Sequence, residues 1–215
     1  MNKVELRVKE LKKTFNNRLV FNKLNFELDS GDKLVVTGRN GSGKSTLIKI
    51  LAGVLTESGG KIEYLINDKK IDRENFYQIV GLVSPYLVVY EEFTAFENLS
   101  LFSKIRGLKT SDEEINEILN RVGLFERRND LVRTYSSGMK QRIKYASAIL
   151  HNPLVLLLDE PTSNLDIEGK NFVDELVSNF RKDGIVIVAT NETQDFKYGE
   201  KIINLDEYKN LNTRI

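Results

Sequence analysis

The chain lacks cysteine and tryptophan entirely, and its 215 residues include only three prolines. The absence of cysteine excludes a disulfide framework and a thiolate metal site, which suits a reducing compartment such as the cytoplasm. The chain also has almost no excess of either charge, because 32 Lys and Arg balance 31 Asp and Glu and leave a net charge of +1. Such a balance produces no global field that would attract nucleic acid or a membrane surface, so we expect no nucleic-acid partner.

Long apolar runs are also missing. Residues 154–158 are all apolar, but this run is far shorter than the ~18 residues that a membrane span needs. Residues 1–5 alternate polar and apolar side chains and do not resemble a signal peptide. We therefore expect a soluble protein whose membrane role must come through a partner. With 40% hydrophobic residues the chain can bury a sizeable core, and its length favours one α/β domain with a smaller insert.

Residues 38–46 fit the phosphate-binding pattern G-x-x-x-x-G-K-[ST] between a predicted strand and a predicted helix. Glycines let backbone N–H groups turn toward a phosphate, and the helix N-terminus adds partial positive charge. Lys44 is predicted to reach the β- and γ-phosphates of ATP, and the Ser45 hydroxyl to bind Mg²⁺. The alternative, a Gly/Ser-rich turn with a stray lysine, is disfavoured by the flanking strand and helix. The predicted ATP-binding residues of this loop are Gly38, Arg39, Asn40, Gly41, Ser42, Gly43, Lys44, Ser45 and Thr46.

A second candidate site lies at the end of the apolar run 154–158, where Asp159 and Glu160 follow. A nearly continuous apolar strand is typical of a parallel sheet buried on both faces, and such sheets bind ligands at the carboxyl ends of their strands. Asp159 is then placed to hold Mg²⁺, and Glu160 to polarise an attacking water. The alternative is two solvated charges that end a strand.

Between these two sites the pattern changes from strand to helix. Residues 94–97 and 111–114 have the form of capping boxes, and apolar residues then recur at helical spacing. A third helical pattern runs to residue 150, and His151 at its end is predicted to cap that helix. Residues of about 90–150 are therefore predicted to be a helical insert. Strand and helix alternate after it, which predicts parallel strands with right-handed crossovers.

Further local patterns predict turns at residues 13–17 and 59–60 and an edge strand at residues 202–205. The first helix of the insert is predicted to have one apolar face, formed by Phe96, Leu99, Phe102 and Ile105.

The chain resembles the ATP-binding subunits of ABC transporters over nearly its whole length. Residues 135–142, Tyr-Ser-Ser-Gly-Met-Lys-Gln-Arg, are similar to the family signature L-S-G-G-Q-x-Q-R, and residues 163–166 resemble its D-loop. Phe15 matches the aromatic residue that stacks on adenine. The resemblance implies one ABC-type ATPase domain over residues 1–215, with an α/β P-loop NTPase fold. It also implies a mostly parallel central sheet, an N-terminal antiparallel β-subdomain and a helical subdomain at about 90–150.

The same resemblance implies a function. The subunit would bind and hydrolyse Mg-ATP in a head-to-tail dimer with a second copy of itself, and so power a separate transmembrane permease. It would lie in the cytoplasm, on the inner face of the cell membrane through that partner. Asp166 would belong to the D-loop, and the signature would contact the ATP bound to the partner subunit. Taken alone, the same Ser-Ser-Gly segment is an ordinary helix N-cap. The signature residues are Ser136, Ser137, Gly138 and Met139.

Several positions depart from the family pattern. Ser137 and Met139 replace a glycine and the glutamine of the signature, Pro85 stands where the Q-loop glutamine is expected, and Asn191 stands where the catalytic switch histidine is expected. These changes predict slow hydrolysis. Two alternatives stay open: a soluble ABC ATPase without a transport role, and a module in which ATP binding drives dimerisation with little hydrolysis. Residues 86–90 are apolar and aromatic, and are predicted either to receive a helix of the membrane subunit or to pack in the core.

Overall fold

The computed structural model describes residues 3–163 and 165–209. These residues form nine β-strands and six α-helices, joined by turns and short 3-10 helices. The strands are β1 Val4–Phe15, β2 Arg18–Asp29, β3 Lys33–Thr37, β4 Gly59–Ile66, β5 Lys69–Ile71, β6 Val80–Val83, β7 Val155–Asp159, β8 Ile185–Ala189 and β9 Lys201–Asn204. The helices are α1 Lys44–Leu51, α2 Phe76–Ile79, α3 Ala95–Ile105, α4 Asp112–Arg121, α5 Ser137–Ile149 and α6 Ile167–Ser178.

The first sheet is antiparallel, with strand order β2-β1-β4-β5. The sequence predicts a turn from Lys13 onward, but β1 continues to Phe15 because Asn16 and Asn17 alone reverse the chain. Both asparagines have positive φ, the backbone that a two-residue hairpin turn requires. The first predicted turn is therefore present but shorter than predicted, whereas the second, at residues 59–60, is wrong. These glycines begin β4, where the register with β1 shifts between Lys9 and Lys12.

The second sheet is parallel throughout, with strand order β6-β7-β8-β3-β9. Every residue of β7 and β8 is buried, which accounts for their continuous apolar sequence. The predicted edge strand at the C-terminal end is confirmed as β9, which pairs with β3. The α/β fold class, with a parallel sheet, an antiparallel sheet and helices, is confirmed.

Two hydrophobic cores lie on opposite faces of the parallel sheet. In β7, Val155 and Leu157 join the core shared with α1 and the antiparallel sheet, whereas Leu156 and Leu158 join the core shared with α3 to α6. This alternation follows from the strand repeat of two residues. Both faces of the sheet are therefore covered. A ligand can reach the sheet at the carboxyl ends of its strands, where the chain continues into loops.

Helices α3, α4 and α5 lie within residues 90–150. Capping boxes begin α3 at Thr94 and α4 at Ser111, as predicted. The predicted apolar face of α3 is wrong at its end, because Ile105 is exposed and the buried face instead includes Asn98. The Asn98 side chain is satisfied there by the backbone of Tyr90 and Thr94. Among the described residues, no helix is long and apolar enough to cross a membrane.

Candidate active site

The loop between β3 and α1 is tightly wrapped. Helix α1 begins at Lys44, so the loop proper is residues 38–43. Gly43 has φ 109°, and a Cβ there would lie 2.4 Å from Val20 Cγ1 of β2. Gly38 has φ 138°, and a Cβ there would lie 2.7 Å from Ser42 Oγ. Only glycine fits at either position, because both backbone conformation and space exclude a side chain.

Lys44 lies at the junction of three strand ends. Its buried ammonium group donates to Gly38 O at 2.8 Å and to Asn191 Oδ1, and lies 3.5 Å from Glu160 Oε1. These partners follow or end β3, β8 and β7, which are neighbours in the parallel sheet. The topology thus brings together three segments that are far apart in sequence, and places a positive charge between them.

Ser45 and Asp159 form a second polar pair. Ser45 Oγ donates to Asp159 Oδ1 at 3.0 Å, while Asp159 Oδ2 and Ser42 Oγ are buried without a hydrogen-bond partner in the described part of the chain. Burial raises the pKa of the Asp159 carboxyl, and the hydrogen bond from Ser45 opposes that rise. Buried oxygens without a partner call for a ligand, an ion or water to satisfy them.

The residues present fit Mg²⁺. Residues 3–163 and 165–209 contain no cluster of three or more acidic or histidine side chains that could cage a metal. Mg²⁺ does not need one, because it is typically held by one or two protein oxygens together with water and substrate phosphates. The Ser45 hydroxyl and the free oxygen of Asp159 match that requirement.

Glu160 adopts a left-handed backbone conformation, with φ 50°. Its N–H donates to Ala189 O at 2.7 Å, and its Oε2 accepts from the backbone N–H of Asn191 at 3.4 Å. The carboxylate thus faces both Lys44 and the loop that follows β8. A carboxylate held in this way at the mouth of a loop is suited to accept a proton from water.

The Asn191 side chain lies between Lys44 and Asn40 and contacts both. Its amide oxygen accepts from Lys44, and its amide nitrogen donates to Asn40 Oδ1. Both ends of the amide are therefore already engaged within the chain. Pro85 is exposed, and its carbonyl accepts from Lys144 Nζ at 3.2 Å.

The outer rim of the loop is held by residues that the sequence did not identify. Asp206 Oδ2 accepts from the Arg39 backbone N–H at 2.8 Å, and Lys209 Nζ donates to Gly41 O at 3.0 Å. Both lie just after β9, and the parallel pairing of β9 with β3 carries them beside the loop. No local sequence signal could have found them, because the contact depends on the strand order.

Phe15 is 46% exposed at the end of β1. The Lys13 ammonium lies 4.6 Å from the centre of its ring. The same hairpin supplies Val20, which lies against Gly43, so the aromatic ring belongs to the sheet that covers the phosphate loop. An exposed ring in this position can stack on a planar ligand.

The signature residues lie apart from the loop. Ser136 is the N-cap of α5, with its Oγ accepting from Met139 N at 3.2 Å, and Ser136 and Ser137 are exposed. Within the described residues, no hydrogen bond or ion pair joins this segment to the phosphate loop. Asp166 caps α6 through Gly169 N at 2.8 Å. Asn164 of the predicted D-loop lies outside the described residues.

The segment of residues 86–90 and the residue His151 are the two remaining features that the sequence analysis singled out. Tyr86 and Val88 are 70% and 73% exposed, so core packing does not account for them, although Val89 between Val88 and Tyr90 is buried. His151 does not cap α5 as predicted. Its Nε2 lies 3.1 Å from Val80 O, because the chain turns there toward β6, and burial with the nearby Arg106 charge lowers its pKa to about 4.

Comparison with known proteins defines the class. A model of the ABC transporter family matches residues 21–163. The linearmycin resistance ATP-binding protein LnrL of Bacillus subtilis is 31% identical over 86% of this chain and 60% of its own length. The cytochrome c biogenesis ATP-binding export protein CcmA of Vibrio parahaemolyticus is 31% identical over 92% of this chain and 96% of its own.

A comparison with solved structures also indicates an ATP-binding cassette. The dimeric, post-hydrolysis structure of the ATP-binding cassette MJ0796 with ADP and phosphate bound superposes with a TM-score of 0.79 at 25% identity, and covers 93% of each chain. The chain belongs to the ABC transporter family and has the nucleotide-binding domain of that family. It spans only about 60% of the length of some relatives, LnrL among them.

Proposed function

We propose that this chain is the ATP-binding subunit of an ABC transporter, which binds and hydrolyses Mg-ATP and so drives a separate transmembrane permease. In this proposal residues 1–215 form one ABC-type ATPase domain, with the helical subdomain inserted at about 90–150. The observation that carries it is the position of Lys44, a buried ammonium at the point where the loops after β3, β7 and β8 meet.

ATP would lie along the phosphate loop. Lys44 would exchange its contacts with Gly38 O and Asn191 for the β- and γ-phosphates, and the N-terminus of α1 would add its partial positive charge. Ser42, whose hydroxyl is buried without a partner, would donate to a phosphate oxygen. Phe15 would stack on the adenine ring. The remaining loop residues, Arg39, Asn40, Gly41 and Thr46, would complete the phosphate cradle.

Ser45 and Asp159 would hold Mg²⁺. When bound, the ion supplies charge neutralisation for the phosphate oxygens. The free Oδ2 of Asp159 and the hydroxyl of Ser45 are the oxygens available for it. Burial disfavours the carboxylate form of Asp159 and so raises its pKa. A cation at this position would offset that unfavourable effect.

Glu160 would act as the general base that orients and deprotonates the attacking water. Asn191 would take the position of the switch histidine, but its amide must leave Lys44 or Asn40 before it can contact a phosphate. It also lacks the positive charge that a protonated imidazole carries. We therefore propose slow hydrolysis. The engaged amide equally supports a second candidate, ATP-driven dimerisation with little turnover.

A second copy of the chain would complete each site. The exposed N-terminus of α5, with Ser136, Ser137, Gly138 and Met139, would contact the ATP held by the loop of the other subunit, and Asp166 would lie at that interface. Helix N-termini bind anions through free N–H groups. The arrangement is head-to-tail, so two equivalent sites form.

The membrane partner would contact the exposed aromatic segment, residues 86–90. The relatives named for resistance and for export suggest a transport role, and this chain would then lie at the cytoplasmic face of the membrane. Tyr86→Ala should weaken co-purification with a membrane protein while leaving the melting temperature almost unchanged. Tyr77→Ala, at a half-exposed tyrosine outside this segment, is the control. A fall in melting temperature without loss of the partner would contradict the docking role.

The direct test of the proposed function is phosphate release by the purified chain with ATP. We expect slow release that requires Mg²⁺ and that falls by about a hundredfold or more in Glu160→Gln. ATP binding and ATP-driven dimerisation without any release would favour the second candidate. Failure of the wild-type chain to bind ATP would overturn both.

A further inference from the structure

Asp195 is a buried carboxylate that the proposed chemistry does not use. It lies in the 3-10 helix Thr193–Tyr198 and is 1% exposed. Thr162 Oγ1 lies 2.8 Å from both of its carboxylate oxygens, and Thr190 Oγ1 donates to Oδ2 at 2.8 Å. No ion pair reaches it within the described residues. A carboxylate removed from water needs such hydrogen bonds, and both hydroxyls are committed to it.

The two threonines belong to the two loops that carry the proposed chemistry. Thr162 lies two residues after Glu160, and Thr190 immediately precedes Asn191. Both hydroxyls are buried, and the Thr190 hydroxyl also accepts from Glu192 N at 3.0 Å. Asp195 therefore joins the loop after β7 to the loop after β8 through one hydroxyl of each.

The backbone at Glu160 needs such support. A residue before proline prefers extended backbone, yet Glu160 has φ 50° immediately before Pro161. Left-handed conformations of this kind are costly and persist only where surrounding contacts impose them. The contacts that hold this turn include Glu160 N to Ala189 O, Tyr145 OH to Pro161 O at 2.9 Å, and Thr162 to Asp195.

We propose that Asp195 is a positioning residue that fixes Glu160 and Asn191 relative to each other. It acts through Thr162 and Thr190 and does not touch the substrate. This inference rests on the proposed ATPase function, because its consequence is a faster chemical step. Errors of about 1 Å in the position of a catalytic group can cost roughly a hundredfold in rate.

Asp195→Asn is the discriminating variant. It keeps the side-chain volume but removes the negative charge and replaces one acceptor oxygen with a donor, so one threonine hydroxyl can no longer donate to it and must reorient. We expect kcat for phosphate release to fall about tenfold to a hundredfold, the range typical when a supporting hydrogen bond is lost. The Kd for ATP should stay unchanged, because Lys44 and the phosphate loop keep their contacts.

Thr190 provides the rescue pair. Thr190→Val removes the hydroxyl at nearly constant volume and should lower kcat in the same way, whereas Thr190→Ser retains the hydroxyl and should keep most of the activity. Asp174→Asn is the matched control. Asp174 accepts from Lys197 and Tyr198 at the other end of the same 3-10 helix, so its loss perturbs that helix without touching the two threonines.

A second readout separates this inference from the proposed function. Amide hydrogen exchange at residues 190–192 should accelerate in Asp195→Asn and not in Asp174→Asn. If the wild-type chain releases no phosphate, the proposed hydrolysis fails, and the exchange result alone still decides the positioning role. Unchanged exchange, or equal losses of kcat in the Asp195 and Asp174 variants, would overturn the inference.

Discussion

The phosphate loop and the signature segment are both helix N-termini, but they differ in what surrounds them. At the loop, Lys44 is buried and makes contacts with residues from three strand ends. At the signature, Ser136 and Ser137 are exposed, and the cap bond to Met139 N stays within its own turn. The first is enclosed by its own chain, whereas the second faces outward.

This difference indicates that the two helix N-termini have different roles in binding. An enclosed site can bind its ligand without help, because its donors and charges are already held in place. An open helix N-terminus offers N–H groups to an anion that another molecule brings. The account therefore predicts that loop variants affect binding in one chain, and that signature variants act only when two chains meet.

The largest effect is expected at the chemical step. Glu160→Gln keeps the shape of the side chain but removes the base, so hydrolysis should fall roughly a hundred- to ten-thousandfold. ATP binding should persist, and the variant should shift from monomer to dimer on size exclusion with ATP and Mg²⁺. A variant that stays monomeric and hydrolyses at the wild-type rate would show that Glu160 has another role.

The next effect is on affinity. Lys44→Ala removes charge-assisted bonds to phosphate, each worth about 1.5–3 kcal/mol, so ATP should bind at least about tenfold more weakly in titration calorimetry. Lys23→Ala, which removes an exposed lysine of β2, is the charge-matched control. Equal affinity in wild type and Lys44→Ala would exclude the loop as the binding site.

A smaller change is expected at Asn191. A protonated imidazole would add positive charge near the transition state, where one such contact is worth up to about 2.7–4 kcal/mol. Asn191→His should therefore raise the turnover number, by less than that limit, and add a pH-dependent component near the imidazole pKa of about 6.5. Turnover that instead falls from a wild-type value of about 10 per second would show that asparagine suits its own mechanism.

The smallest effect is on stability, and its sign is diagnostic. Burial raises the pKa of Asp159 above its unfolded value, so the free energy of unfolding falls as the pH rises from the unfolded pKa through the raised one. Without Mg²⁺, Asp159→Asn should therefore melt higher than wild type at pH 7, and this gain should shrink toward zero near pH 4, close to the ordinary aspartate pKa of about 3.9. Calorimetry at the two pH values measures it.

Asp174 provides the opposite control. Burial acts to raise the pKa of that carboxyl, but hydrogen bonds from Lys197 and Tyr198 hold it below its ordinary value. Its carboxylate therefore stabilises the fold at pH 7, and this contribution is lost as the pH falls through the lowered pKa. Asp174→Asn should melt lower than wild type at pH 7. The same direction of change in both variants would contradict the assignment of burial as the dominant cause at Asp159.

The sequence predicts what is local along the chain. The glycine-rich loop between β3 and α1, the acidic end of β7 and the two capping boxes depend on neighbours within a few residues, and the structure has each of these local features, whereas phosphate binding by the loop stays a prediction. Asp195, Asp206 and Lys209 could not be found in this way, because their partners lie more than 30 residues away in at least one contact and meet them only through the strand order.

Errors at turns have a similar cause. Polar residues at 13–17 predicted a turn, but pairing with β2 extends β1 through residues 13–15 and leaves only residues 16 and 17 in the turn. The sequence pattern of α3 likewise placed Ile105 on the buried face, whereas the neighbouring elements leave it exposed. Tertiary pairing overrides local preference at these positions.

The central claim is that the loop of one chain and the signature of another form a single site. The chain contains no cysteine, so Asn40→Cys and Ser137→Cys can each be made alone, in the Glu160→Gln background, at exposed positions. The two variants are mixed with a short thiol-to-thiol cross-linker. The account predicts a covalent heterodimer that requires ATP and Mg²⁺ and that neither variant forms by itself. Cross-linking within either variant alone, or none in the mixture with ATP, would contradict it.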